Sequence, residues 1–267
     1  MIARRRDWFL GAWSALAIAF LFLPVFIVIL FSFNANKGRF NFTWQGFTLD
    51  HWAHPFKDPD LSKALQNSLE VALIATAISV VLGTLLAIAL VRHRFRGRGT
   101  ADFFVFLPMA TPEVVLGASL LALFLVVGIN TGFATIVISH ALFCISYVVV
   151  TVKARLEGMD PHIEEAAQDL GAGVWTTFFK ITLPMIAPGV VSAAVLSAAL
   201  SIDDYVVTSF NAGQTQTFPL FIFGATRQGV PPEVNVLATM LLVAVLALMA
   251  FNVLGQKAAA RRSTPAA

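Results

Sequence analysis

The chain has 267 residues, 58% hydrophobic and only 12% charged, with a mean hydropathy of +0.79 and a formal net charge of +3. That balance excludes a soluble domain of this length and describes an integral membrane protein. A single cysteine, Cys144, excludes an internal disulfide, and the basic pI of about 9.3 comes from charges flanking apolar runs rather than from a nucleic-acid surface.

Six apolar runs, each roughly 20 to 25 residues, can cross a bilayer as helices. They cover residues 9–33, 71–91, 103–127, 133–152, 185–210 and 234–253, so the expected fold is all-α, a single transmembrane domain over 1–267. The first run follows Arg4, Arg5 and Arg6; it is too long for a cleaved signal and no small-x-small site follows, so a retained span is expected. With both termini cytoplasmic, the inner side holds those arginines together with Arg92, Arg94, Arg96, Arg98, Lys153, Arg155, Lys180, Lys257, Arg261 and Arg262. The outer side then holds only Lys37, Arg39, Lys57, Lys63 and Arg227, which is the positive-inside distribution.

Residues 34–66 form a long outer segment with Trp44, Asp50, Trp52, Asp58 and Asp60, expected as a solvated loop with interfacial aromatics. The turn from Arg92 to Gly99 is expected to anchor on anionic lipid. The third run contains Leu107-Pro108-Met109-Ala110-Thr111-Pro112-Glu113, whose prolines predict a kink and a cavity wall. Counted along a continuous helix from Phe103, Glu113 lies about 15 Å deep, where a carboxylate must line a pathway or find a partner. In the fourth run His140 and Cys144 stand one turn apart; without two further ligands they predict packing, not a metal site.

The fifth run reaches Ser201-Ile202-Asp203-Asp204-Tyr205. Adjacent helical residues point about 100° apart, so one acid is expected to face a pathway and the other to be tied to a neighbouring helix. Beyond it, Phe218 to Gly224 is too short to span and predicts a re-entrant or interfacial element. Within the six runs the charged residues are Glu113, Asp203 and Asp204, with no Lys or Arg. Carboxylates beside aromatic faces suit an ammonium-bearing solute and suit phosphate or sulfate poorly.

Between the fourth and fifth runs lies a polar interlude. Asp160 is placed to cap a helix with Pro161 in its first turn, and Glu164 and Glu165 favour the positive end of the helix dipole. Gly171 predicts the stop. A second short helix is expected from about Val174 to Ile181, carrying Trp175, Phe178 and Phe179, with Pro184 forcing entry into the next span. The result is a helix-turn-helix paddle at the membrane surface.

The pattern Glu165-Ala166-Ala167, Gly171, Ile181, Leu183-Pro184 resembles the EAA loop of permease subunits in ABC importers. Over nearly the whole chain the sequence resembles the spermidine/putrescine (PotC-type) permease family, most clearly at Arg94 to Gly97, Val149 to Val152, Glu165 to Pro184, Asp203 to Phe210 and Pro232 to Thr239. The resemblance implies a transport subunit of the bacterial inner membrane, not an enzyme, that forms half of a pathway for a polyamine or similar small cationic amine. Glu113, Asp203, Asp204 and Tyr205 are then the pathway candidates. By the same resemblance Glu165, Ala166, Ala167, Asp169 and Gly171 meet a cytoplasmic ABC ATPase dimer, and Gly171 supplies a bend that no side chain could occupy. A second, homologous permease subunit and an extracytoplasmic substrate-binding protein complete the assembly. ATP and Mg belong to the partner ATPase: this chain has no Gly-x-x-x-x-Gly-Lys-Ser/Thr loop and no Lys followed by Ser or Thr.

Two alternatives stay open at this level. One is an importer for another amino compound, such as an opine; the other is a proton-coupled secondary transporter using Glu113, Asp203 and Asp204 as a relay, which leaves the paddle without a purpose. A scaffold without transport leaves the intramembrane acids unexplained.

Overall fold

A computed structural model describes residues 2–36, 38, 40–160 and 162–262. Lys37, Arg39 and Pro161 lie outside the described residues, as do the side chains of Arg4, Arg5, Arg6, Lys257, Arg261 and Arg262. The helices, in chain order, are α1 (Ile2–Phe31), α2 (Asp50–Ala53), α3 (Pro59–Arg92), α4 (Arg98–Ala110), α5 (Glu113–Val127) and α6 (Phe133–Glu157). They continue with α7 (His162–Asp169), α8 (Val174–Thr177), a π-helical segment (Phe178–Thr182), α9 (Leu183–Asp203), α10 (Val206–Asn211), α11 (Phe218–Gln228) and α12 (Pro232–Arg262). Among the described residues the only extended pairing is an isolated antiparallel bridge between Asn34 and Phe47.

The chain divides into two compact units, residues 1–62 with 222–244, and residues 63–221 with 245–267. In the first, α1 exposes Trp8, Trp13, Phe20 and Phe22, as a helix covered by lipid or by a partner would. After it, the segment 34–66 is more than a solvated loop. Asn34 is fully buried; its amide donates to Asn41 Oδ1 at 2.6 Å and to the Thr43 carbonyl at 2.8 Å, and its Oδ1 accepts the Gln45 N–H at 2.7 Å. Phe33 stacks with both Phe47 and Trp52 at centroid distances of 5.7 and 5.3 Å. A buried amide fully satisfied by backbone and side chain orders such a loop, because each lost bond would leave a desolvated group.

The second unit is organised around α6. Its residues Val148, Val149, Val152 and Leu156 are wholly buried among Ala87 and Leu90 of α3 and Ile186 and Ala193 of α9. Gly83 lets α3 approach: a methyl there would sit 2.7 Å from Val148 Cβ. Ser79 Oγ, also on α3, donates to the Ala141 carbonyl at 3.1 Å, the small-residue and hydroxyl packing by which apolar helices associate without a hydrophobic drive.

Among the described residues five helices are long and apolar enough to cross a membrane, six if α4 and α5 count as one broken span. That pair corrects the expectation of one kinked helix over 103–127, for α4 and α5 meet at 109°. Pro112 forces its predecessor out of the helical region, and Thr111 adopts φ −83°, ψ 131°. Glu113 therefore opens α5 rather than sitting midway along a helix, and the depth counted from Phe103 does not apply. The run 185–210 is likewise broken, by extended backbone at Asp204 with φ −64°, ψ 119°.

Candidate functional site

The two breaks, between α4 and α5 and between α9 and α10, line one cavity of about 570 Å³. All four pathway candidates, Glu113, Asp203, Asp204 and Tyr205, are in its wall, with Phe143 and Tyr147 of α6. The wall carries three carboxylates and no Lys, Arg or His, and it contains both tyrosines of the sequence. Tight packing holds the two breaks together: a methyl at Gly117 of α5 would lie 2.7 Å from Phe210 and 3.2 Å from Val207 Cα of α10.

The adjacent acids part company as expected. Asp203, the last residue of α9, is exposed toward the cavity. Asp204 is spent on structure. Its carboxylate accepts the Val207 N–H at 3.3 Å, the Thr208 N–H at 2.7 Å and the Thr208 hydroxyl at 2.7 Å, satisfying first-turn donors of α10 that have no helical partner. His140 Nε2 lies 3.2 Å from Asp204 Oδ2 and 2.9 Å from Thr208 Oγ1, while Nδ1 is 2.7 Å from Ser201 Oγ. With the ring proton on Nε2 and Nδ1 accepting the Ser201 hydroxyl, one tautomer satisfies every partner. The side chains of His140 and Asp204 are 1% and 7% exposed.

His140 was thus expected to be mere packing and is instead the polar anchor of the helix break. The signal was available, because an imidazole deep in an apolar run needs a partner. Tyr147, two turns further along the same face, was also missed. No group of three or more metal-ligating side chains occurs among the described residues.

The paddle has the expected cap: Asp160 Oδ1 accepts the His162 N–H at 3.0 Å. Helix α7 ends with paired bonds from Gly171 N to the Gln168 carbonyl and from Ala172 N to the Ala167 carbonyl, closing around Gly171 at φ +86°. A Cβ there meets nothing within 4 Å, so glycine is required by backbone angle and not by space. Of the loop candidates, Glu165, Ala166 and Asp169 are exposed and Ala167 is buried.

After the turn, the expected separate helix from about Val174 to Ile181 is not formed. Helix α8, the π segment and α9 run on continuously from Val174 to Asp203. Leu183 N donates to the Phe178 carbonyl, five residues back, and this widened turn takes up the proline that would otherwise clash one turn earlier. Trp175 and Phe179 stack at 6.1 Å on its exposed face.

A lined cavity at paired helix breaks, with an exposed two-helix loop, is the anatomy of a membrane transport subunit. The chain belongs to the family described as binding-protein-dependent transport system inner membrane component, whose model matches residues 79–263. Its relatives include the spermidine/putrescine transport system permease protein PotC of Haemophilus influenzae, 41% identical over 91% of this chain and 94% of that protein. PotC of Escherichia coli K12 is 42% identical over 90% of each, and the putrescine transport system permease protein PotI of the same strain is 39% identical over 86% and 84%. It is accordingly a PotC-type ABC permease subunit and not an enzyme. The fold is shared with a chain of a bacterial alginate ABC transporter, at a TM-score of 0.67, 19% identity and 93% coverage of both chains. A chain of an amino acid ABC transporter solved with histidines gives a TM-score of 0.58 at 19% identity, covering 79% of this chain and 99% of that one.

Proposed function

We propose that this permease carries a polyamine, spermidine or putrescine, or a closely similar small cationic amine, and that Asp203, Glu113 and Tyr205 are its contacts in the pathway. The observation that carries the proposal is the cavity wall of three carboxylates without a single cation, joined by two phenols. Such a wall pairs with ammonium groups and offers ring faces to their methylenes and charge. The names of the PotC and PotI relatives point the same way.

In this reading both termini are cytoplasmic and the α7–α8 loop meets a separate ATPase dimer, which holds ATP and Mg. Glu165, Ala166 and Asp169 present the docking face, with Gly171 fixing its turn and Ala167 its packing. A second permease supplies the other half of the pathway, and a binding protein delivers substrate from the outside. Closure of the ATPase on ATP biases the permease between inward- and outward-open states through this contact.

The test is uptake of labelled spermidine and putrescine by cells expressing this chain with its neighbouring ATPase, partner permease and binding protein. Saturable uptake that requires ATP hydrolysis is the expected result. An assembled, ATP-hydrolysing complex that accumulates neither amine overturns the polyamine assignment. Uptake that persists without the ATPase overturns the coupling.

A further inference from the structure

The basic turn at the end of α3 is not uniform. Arg94, Arg96 and Arg98 are exposed, but Arg92 folds back onto the paddle. Its Nε lies 3.1 Å from Glu164 Oε2, at ion-pair range, and a terminal nitrogen donates one hydrogen bond to Glu164 Oε1 at 3.3 Å. The Thr182 hydroxyl donates to the same Oε1 at 2.8 Å. The Arg92 and Glu164 side chains are 18% and 16% exposed, so the pair is largely removed from solvent. Glu164 therefore joins α7 to the last residue of α3 and to the last residue of the π segment. Ala167, one turn further along the same side of α7, is buried.

These are positions that the EAA pattern leaves open. Glu164 precedes the motif glutamate, Thr182 is the free position between Ile181 and Leu183, and Arg92 is far away in sequence. Glu165 points the other way, its side chain 69% exposed. The loop thus has one acid for an outside partner and one for its own helices.

We propose that Arg92, Glu164 and Thr182 form the link through which displacement of the α7 paddle is passed to α3 and to α9, rather than through the peptide connections alone. The proposal rests on the coupling role suggested above for this loop. Arg92 and Glu164 act here as positioning residues: neither touches substrate or nucleotide. A largely desolvated ion pair with a hydrogen bond, sharing its carboxylate with the Thr182 hydroxyl, ties α7 to α3 and to the π segment at once.

The experiment uses the full complex reconstituted in liposomes with labelled spermidine, comparing wild type with Glu164→Arg, Arg92→Glu, their double reversal and Thr182→Val. In each, uptake, ATP hydrolysis and the amount of ATPase co-purifying with the permease are measured. An Asp169→Cys variant, cross-linked to the ATPase in the otherwise wild-type complex, tests the coupling role separately. The expected result is a cross-link in the wild-type complex and full ATPase retention in every variant. Uptake per ATP hydrolysed falls about tenfold in each single reversal and less in Thr182→Val, with recovery in the double reversal. Wild-type uptake per ATP in both single reversals overturns the link, as does loss of uptake in step with loss of bound ATPase, which marks a purely structural pair. Absence of the cross-link overturns the coupling role itself, whatever the variants do.

Discussion

The two adjacent acid pairs of this chain, Asp203-Asp204 at the cavity and Glu164-Glu165 on the loop, solve one problem in two environments. In each, one carboxylate is tied down and its neighbour is left facing outward, because consecutive residues cannot share a direction. The tying partners differ. Asp204 is held by a buried imidazole, a hydroxyl and two backbone N–H groups, none of which need carry a charge. Glu164 is held by an arginine, with a hydroxyl in support. An arginine near the cavity would offset the negative potential of its wall, whereas on the loop a permanent cation adds an ion pair to the hydrogen bond. The lesson is that the tied acid shapes the backbone on which the free acid is presented.

The strongest break of that comparison lies at the cavity. Asp203→Asn should reduce spermidine uptake efficiency about 100-fold, the range expected when a charge pairing with a desolvated cation is lost, while leaving thermal unfolding of the purified permease unchanged. Asp204→Asn should do the reverse in kind. Its amide cannot accept all the bonds now made by Val207, Thr208 and His140, so stability should fall by about 1–3 kcal/mol, read as a lower midpoint in a thermal melt in detergent. Equal destabilisation by the two substitutions, or normal uptake in Asp203→Asn, would erase the distinction between a free and a tied acid.

A smaller effect is expected at the loop's turn. Because Gly171 has open space around it but a left-handed backbone, Gly171→Asn should be nearly silent and Gly171→Val should cost about 1–2 kcal/mol locally. Hydrogen exchange of the α7 amides would read this as faster opening in the valine variant alone. If the two variants behave alike, volume and not backbone angle governs the position.

How much of this was legible beforehand varies with how local its cause is. The helices, the proline signal at Pro112, the Asp160 cap and the Gly171 stop follow from residues a few positions apart. The polar loop stood out from the apolar runs by composition. What did not show was everything decided by a distant partner. Pro112 announced a kink, but the 109° angle comes from how α5 then packs on α10 through Gly117. His140 offered a polar atom without saying that Asp204, 64 residues later, would meet it. Arg92 was indistinguishable from the three exposed arginines after it, and Glu164 had a sufficient explanation in the helix dipole. The buried Asn34 lay hidden in a segment whose polarity suggested only solvation. Pro184 misled for a different reason: a proline inside a continuous helix demands relief, and the chain relieved it by widening one turn instead of breaking.

The smallest predicted effect concerns the free acid of the loop. His162 Nδ1 lies 3.0 Å from Glu165 Oε2, both side chains being well exposed. The hydrogen bond that His162 donates to Glu165, helped by the charges of Asp160 and Glu165, raises the His162 pKa above the ordinary imidazole value. A raised pKa means that the pairing is fully present below the ordinary value and is lost as pH rises through the raised one, so alkaline conditions release Glu165 from its own helix. In a titration of histidine-labelled permease by NMR, with the His162 signal identified by its absence in His162→Gln, the wild-type midpoint should lie above that of Glu165→Gln. Added salt should narrow the gap, since an exposed pair is screened, whereas it should leave the Arg92–Glu164 tie in place. A midpoint indifferent to Glu165 would mean that the exposed acid has no partner within the chain. Its whole interaction energy would then be available to whatever docks on the loop.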